Sequence, residues 1–239
     1  MEPAFSLYGD RDPREVPAYG ITEAARYLNM PTSTLRSWTV GQPYRVRSQE
    51  RFFEPIIDIA DPVNRYLSFF NLFEAYICDA LRREHNVSLQ KIRSALEILA
   101  KRTSPKSKHP LIEHRFATVG LALFVEVYGE LIGLKEPAQL VIREALEQYL
   151  RRVDRDKFGR VARLYPFTRS LRVAETPRVV VIDPTVMFGR PVIAGTRVTT
   201  AAVYQRWRAG EGVEILAEDY SMPIAEIEDA LRCEHAEAA

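Results

Sequence analysis

The sequence predicts an α+β, mostly helical protein of 239 residues. Three observations carry that expectation. Tyr19–Gly41 and Gly189–Leu231 each hold short helical patterns of apolar residues separated by tight turns. Between them, Tyr66, Phe69, Phe70, Phe73, Tyr76, Ile77, Ala80 and Leu81 recur at helical spacing. Strand-like stretches are few and short. A hydrophobic fraction of 46% is ample for a packed core and for more than one domain.

Residues 1–18 carry three prolines and many charges and read as an arm. In Tyr19–Gly41, Thr22 can cap a first helix by accepting an orphan backbone N–H. Ala25 and Leu28 then face one side, and Asn29-Met30-Pro31 breaks the pattern. Thr32 can cap a second helix over Ser33–Val40, with Leu35 and Trp38 inward. Two short helices joined by a tight turn have helix-turn-helix spacing. Tyr44–Ile59 sets polar Ser48-Gln49-Glu50 between arginines and apolar residues, which suits a hairpin, or wing. A helix follows over Tyr66–Leu81. Ser88 starts another, with Val87 and Ile92 as a hydrophobic staple and Leu89, Ile92, Leu96 and Leu99 inward. Ala117–Leu134 reads as strands around Tyr128-Gly129-Glu130. Pro137 opens a helix to about Arg152, and Arg160–Phe167 and Arg178–Ile182 read as strands. Thr199 and Thr200 cap a helix over Ala201–Ala209 that Gly210 ends. Val213–Tyr220 is the next helix. Pro223 starts the last, with Ile224, Ile227, Ala230 and Leu231 on one face. The chain thus divides into a winged helix-turn-helix head (1–60), a helical middle with some strands (61–172) and a three-helix, helix-turn-helix-like tail (173–239).

The formal net charge is +1, so the total says nothing about a nucleic-acid partner. The distribution says more. Arg26, Arg36, Arg45, Arg47 and Arg51 make the head modestly basic, and Lys101, Arg102, Lys106 and Lys108 form a basic loop. After Gly210, nine acidic residues face only Arg232 between there and Glu237. Either the two ends have different partners or the acidic end is ordinary solvated helix surface. Cys78 and Cys233 are too far apart for a metal motif and fit a reduced compartment. The N-terminus has no signal-peptide pattern, and Leu121–Leu134 is too short and too charged to span a bilayer. A cytoplasmic protein is expected.

The most chemically loaded feature is the first helix-turn-helix. Its second helix would present Ser33, Thr34, Arg36 and Ser37 outward, where hydroxyls and an arginine suit base edges and phosphates. Arg45, Arg47 and Arg51 could hold flanking phosphates, and Thr22 completes the candidate set. The alternative is a small helical subdomain without a DNA role. The stretch FGRPVIAGTRV, Phe188–Val198, is a second focus. Gly189 and Gly195 are too far apart for a dinucleotide fingerprint, and Pro191 removes an N–H that a phosphate nest would use. Both glycines therefore read as turn residues, with Val192, Ile193 and Val198 as core. Arg190 and Arg197 are either ion-pair partners or interface arginines. His109 and His114 lie five apart beside Glu113 and read as a loop entry more than a metal site. Asp58, Asp61 and Asp183 sit beside prolines as turn residues. No nucleophile–base pair stands out, so no catalysis, metal or cofactor is expected.

Two resemblances add to this. ITEAARYLNMPTSTLRSW resembles the DNA-binding head of MerR-type regulators, with Thr34, Leu35, Arg36 and Trp38 matching their recognition helix. Ser37 stands where that family usually has an aromatic residue. LRREHNVSLQKIRSALEIL is similar to the same family, without its long dimerisation helix. GRPVIAGTRV and the helices after it resemble small bacterial domains that commonly occur in antitoxins. The whole arrangement looks like a VapB-type antitoxin of a VapBC module. That resemblance implies a PIN-like ribonuclease toxin as partner of the tail, with Arg190, Arg197, Arg206 and Trp207 as candidate toxin-binding residues. Arg190 or Arg197 would reach the toxin's acidic, metal-binding site and compete with the metal. It also implies operator DNA as partner of the head, bound by a homodimer, since one small head reads too few base pairs. The alternative is a free-standing MerR-like regulator whose tail senses or oligomerises. The Tyr66–Leu81 helix is core by default, with a dimer seam or toxin groove as other uses.

Overall fold

The computed structural model describes residues 8–46, 49–85, 136–169 and 176–235, together with scattered positions between 91 and 133. The chain begins with strand β1 (Tyr19–Gly20), which pairs antiparallel with β4 (Tyr66–Leu67). Helix α1 (Ile21–Tyr27) follows directly. Its N-cap is Gly20, in extended conformation and with no side-chain cap. Thr22 is therefore the second residue of the helix, exposed in its first turn, and not its cap. Asn29 takes φ 49°, a left-handed conformation that asparagine tolerates, and turns the chain. Pro31, at φ −61° and ψ 131°, is the N-cap of α2 (Thr32–Thr39). Its fixed φ and the extended backbone that precedes the helix make Thr32 the first helical residue instead of the cap. Leu35 and Trp38 are fully buried.

Strands β2 (Gln42–Val46) and β3 (Gln49–Phe53) form an antiparallel hairpin. The chain returns to the helices where the N–H groups of Ile56 and Ile57 bond to the Trp38 carbonyl at 2.8 and 3.0 Å. Helix α3 (Phe69–His85) is capped by the Ser68 hydroxyl, which accepts the Asn71 N–H at 3.2 Å. Asn71 Oδ1 in turn accepts the N–H of Ala60 at 2.9 Å. This cap explains why Tyr66, read in sequence as the start of the helix, lies in β4. The face of α3 packs on α4 (Glu136–Leu150), with the rings of Tyr76 and Tyr149 4.7 Å apart. Positions 125–127 and 129 are helical, not strands. A short apolar run does not separate a buried helix from a strand by periodicity alone, which is where that expectation failed. Val87, Ser88, Leu89, Leu96, Leu99, Tyr128 and Glu130 lie outside the described residues.

Strands β5 (Val153–Arg155) and β6 (Val161–Leu164) form the next hairpin. Beside it Arg152 is fully buried. Its planar fork donates to the carbonyls of Tyr165, Pro166, Thr176 and Pro177 at 2.6–3.2 Å and lies 4.6 Å from the Phe167 ring centre. One guanidinium thereby pins both ends of the connection into the tail. In the tail, β7 (Val180–Val181) pairs with β8 (Val192–Ile193). Helices α5 (Thr200–Arg208), α6 (Val213–Tyr220) and α7 (Ile224–His235) follow. Thr199 caps α5 as expected, its side chain accepting the Ala202 N–H. Thr200 is not a second cap. It is buried, and its hydroxyl donates to Glu234 at 2.6 Å.

One apolar core runs from Tyr19 through α1–α4, β6 and β7 to Cys233. A smaller one, built on Ile193, Val203, Leu216, Ile227 and Ala230, holds the tail helices together. Helix α7 belongs to both. Its Ile227 and Ala230 face the tail cluster, and its Cys233 joins the main core. Next to Cys233, the buried Glu234 pairs with Arg26 of α1 at 3.1 Å. No described helix is long and apolar enough to cross a membrane.

Candidate functional site

Helix α2 presents two of its four candidate residues to solvent. Ser33 and Arg36 are exposed, and Arg36 has no ion pair among the described residues. Thr34 is half-buried and its hydroxyl accepts a hydrogen bond from Arg82 at 3.1 Å. Ser37 departs from expectation. It is buried, and its hydroxyl donates to the Thr34 carbonyl at 2.8 Å. A serine inside a helix can satisfy itself by bonding back one turn, and doing so here withdraws it from the surface.

Arg82 and Arg83 are functional candidates that the sequence pattern hides. They stand near the C-terminal end of a long apolar helix, where they read as a polar interval. Packing sets them against the helix-turn-helix. Arg83 donates to the Asn29 carbonyl at 2.9 Å and pairs with Asp79 at 2.8 Å, while Arg82 reaches Thr34.

The hairpin divides its charges. Side chains alternate across a strand, and the register sets Tyr44 opposite Arg51 and Arg45 opposite Glu50. Arg45 and Arg51 therefore leave opposite faces of the hairpin. The Arg45 face carries Glu50 and the half-exposed ring of Phe52. The Arg51 face carries Tyr44, Gln42 and Gln49 and no carboxylate. Arg47 lies outside the described residues.

In the tail, the stretch Phe188–Val198 is a pinned turn. Met187, Phe188 and Gly189 take φ values of 47°, 58° and 76°, three left-handed residues in a row. Such conformations cost about 1–3 kcal/mol each for residues other than glycine and persist only where the surroundings hold them. Here Asp183 accepts the Thr185 N–H and hydroxyl and pairs with Arg163 at 2.8 Å. The Tyr19 hydroxyl donates to the Gly189 carbonyl at 2.9 Å, and a Cβ at Gly189 would overlap that hydroxyl. The motif is thus the joint between tail and head. Arg190 and Arg197 are exposed and form no ion pair among the described residues.

Arg206 does the opposite. It pairs with Glu211 and Asp219 and lies 5.2 Å from the Tyr220 ring centre, so its guanidinium is committed inside the tail. Five residues along the chain, Glu211 sits in the turn where it can fold back on α5. Trp207 is 38% exposed and stacks near Tyr204 and His235. The acidic end is also less free than its composition suggests. Besides Glu211 and Asp219, Glu234 is held by Arg26, and the fully buried Asp229 is held by Arg169 and Arg232 at 2.9 and 2.7 Å. Burial pushes the Asp229 carboxyl up, but the two guanidiniums outweigh it and hold it below its ordinary range.

Other candidates resolve into structure. His109 pairs with Glu74 at 3.0 Å, and although burial acts against its charge, Glu74 raises it above the usual histidine range. His114 lies outside the described residues. No group of three or more potential metal ligands occurs among the described residues. Cys78 and Cys233 are buried and unbridged, and burial pushes both thiols up. A cleft of about 680 Å³ separates the arm from the β5–β6 hairpin, but the guanidiniums of Arg14 and Arg163 in its wall are bound to Asp12, Asp156 and Asp183.

Residues 17–96 match a family described as a putative DNA-binding HTH domain, and residues 180–232 match one described as a protein of unknown function, DUF433. The chain is similar to the uncharacterized protein Rv2308 of Mycobacterium tuberculosis, at 26% identity over 91% of this chain and 89% of that one. Its fold is similar to the crystal structure of Rv2018 from the same organism, with a TM-score of 0.66, 29% identity, and coverage of 90% of this chain and 98% of that one. It is also 32% identical to the putative antitoxin VapB45 of M. tuberculosis over 235 residues, 91% of this chain and 93% of the relative. Across nearly its whole length, then, this chain belongs to the family of the putative antitoxin VapB45.

Proposed function

We propose that the chain is a VapB-type antitoxin, a binding protein and not an enzyme. It neutralises a PIN-like ribonuclease toxin by direct contact through the tail. It represses its own operon through the head, acting as a homodimer within the toxin–antitoxin complex. The observation that carries the DNA half is the exposed Arg36 on α2, free of carboxylates, with Arg82 beside it at Thr34. In this reading the head is a MerR-like winged helix-turn-helix. Ser33 and Arg36 read bases, Arg51 and Arg82 hold phosphates, and Arg83, paired with Asp79, braces the Asn29 turn. Ser37 supports the helix from within. The toxin half is supported by the relative's name and by Arg190 and Arg197, exposed and without an ion pair among the described residues, on the segment that leads into the tail helices.

Co-expression with the protein encoded by the adjacent gene tests this. Tagging one partner should recover both, with ribonuclease activity silent until this chain is removed. A neighbour that neither binds nor degrades RNA would refute the toxin half. One observation favours a free-standing regulator as the second reading: α7 is shared between tail and head, as a sensing tail requires.

A further inference from the structure

We propose that the turn Met187–Arg190 is a docking knob, with Phe188 as its anchor, for a protein presenting an apolar pocket rimmed by carboxylates. The inference rests on the antitoxin reading and says which residue dominates the contact. Phe188 is 62% exposed and Met187 39% exposed, on consecutive left-handed residues. A large apolar pair held outward in a disfavoured backbone gains nothing for the isolated fold. The turn is nevertheless rigidly determined. Gly189 N–H bonds to Val186 O at 3.0 Å, Val186 N–H to Asp183 O at 2.9 Å, and Tyr19 clamps the Gly189 carbonyl. A preformed aromatic beside an arginine is the composition of an interface hot spot, because ordering it on binding costs little entropy. Arg190, two residues along, is exposed and has no counter-ion among the described residues, and Arg197 on the same segment is alike. Their complement is a carboxylate rim. A nucleic acid fits less well, since Glu214, Glu218 and Glu226 lie on the following helices and would repel phosphates.

The test titrates the full-length chain against the protein of the adjacent gene by calorimetry. Phe188→Asn keeps a residue at home in the left-handed backbone and removes the ring. It should weaken binding about thirtyfold or more. Phe188→Tyr should stay within about threefold of the parent, and Arg190→Glu should weaken binding about tenfold at low salt. Thermal melting of each variant checks the fold. Should the melt of Phe188→Asn fall, Arg190→Glu, on the surface, decides alone. If the parent binds and these variants bind equally well, the knob is wrong and the antitoxin reading stands. If the parent does not bind, the reading fails and the inference falls with it. Loss of duplex binding instead of protein binding in Phe188→Asn would also overturn it.

Discussion

Arg36 and Arg206 stand in the same place, the last turn of a short helix in a small helical unit. Arg36 points to solvent without a carboxylate, while Arg206 is enclosed by Glu211, Asp219 and the Tyr220 ring. The head keeps α2's cation available, whereas α5 gives Arg206 to carboxylates of the tail itself. Arg232 of the tail and Arg169 of the middle are likewise committed to Asp229, whereas Arg190 and Arg197 stay exposed with no ion pair among the described residues. Local helix chemistry is thus a poor guide to which arginine binds a partner. The carboxylates that tertiary structure brings alongside decide it.

Removing the tail's internal counter-charge should have the largest effect. Asp229→Ala leaves two guanidiniums facing a vacated buried site and should destabilise the fold by about 3 kcal/mol, as read by urea denaturation. Arg36→Ala should leave stability unchanged and cost about 1–3 kcal/mol of operator affinity while relaxing sequence preference, as read by fluorescence anisotropy on matched and altered duplexes. Equal losses on both duplexes would make Arg36 a phosphate contact instead. On the hairpin, Arg51→Ala should lower the salt slope of binding by about one, and Arg45→Ala, opposite Glu50, by less. Equal slopes would mean that both faces meet the duplex.

The pH dependence sharpens the same contrast. The Asp229 carboxyl is depressed in the folded state, so its stabilisation is complete above the ordinary aspartate pKa of about 3.9 and is lost as pH falls through the lower folded value. The difference in melting temperature between the parent and Asp229→Asn should therefore be largest near neutrality and shrink below about pH 4. Smallest of all, Arg206→Ala should lower the melting temperature slightly and leave partner binding intact. A marked loss of binding would return Arg206 to the interface.

Much of the fold was legible because it rests on local chemistry. The break at Asn29–Pro31, the Thr199 cap and the buried Ile227 and Ala230 of α7 are written in neighbouring residues, although Ile224, read on the same face, is exposed. What was not legible depends on distance. Arg82 lies 48 positions from the threonine it bonds, and Glu234 is 34 positions from Thr200. The opposite faces of Arg45 and Arg51 required a strand register that the hairpin sequence leaves open. Ser37 was misplaced because a serine on a recognition helix can serve either solvent or the backbone, and the pattern is the same for both.

Helix α7 works like a keystone. Its last turn carries Cys233 into the main core and Glu234 onto Arg26 of the first helix-turn-helix helix. Undocking of α7 would therefore unseat α1 and open the tail cluster in one event. Head and tail would then share a single lifetime, set by how long that helix stays docked.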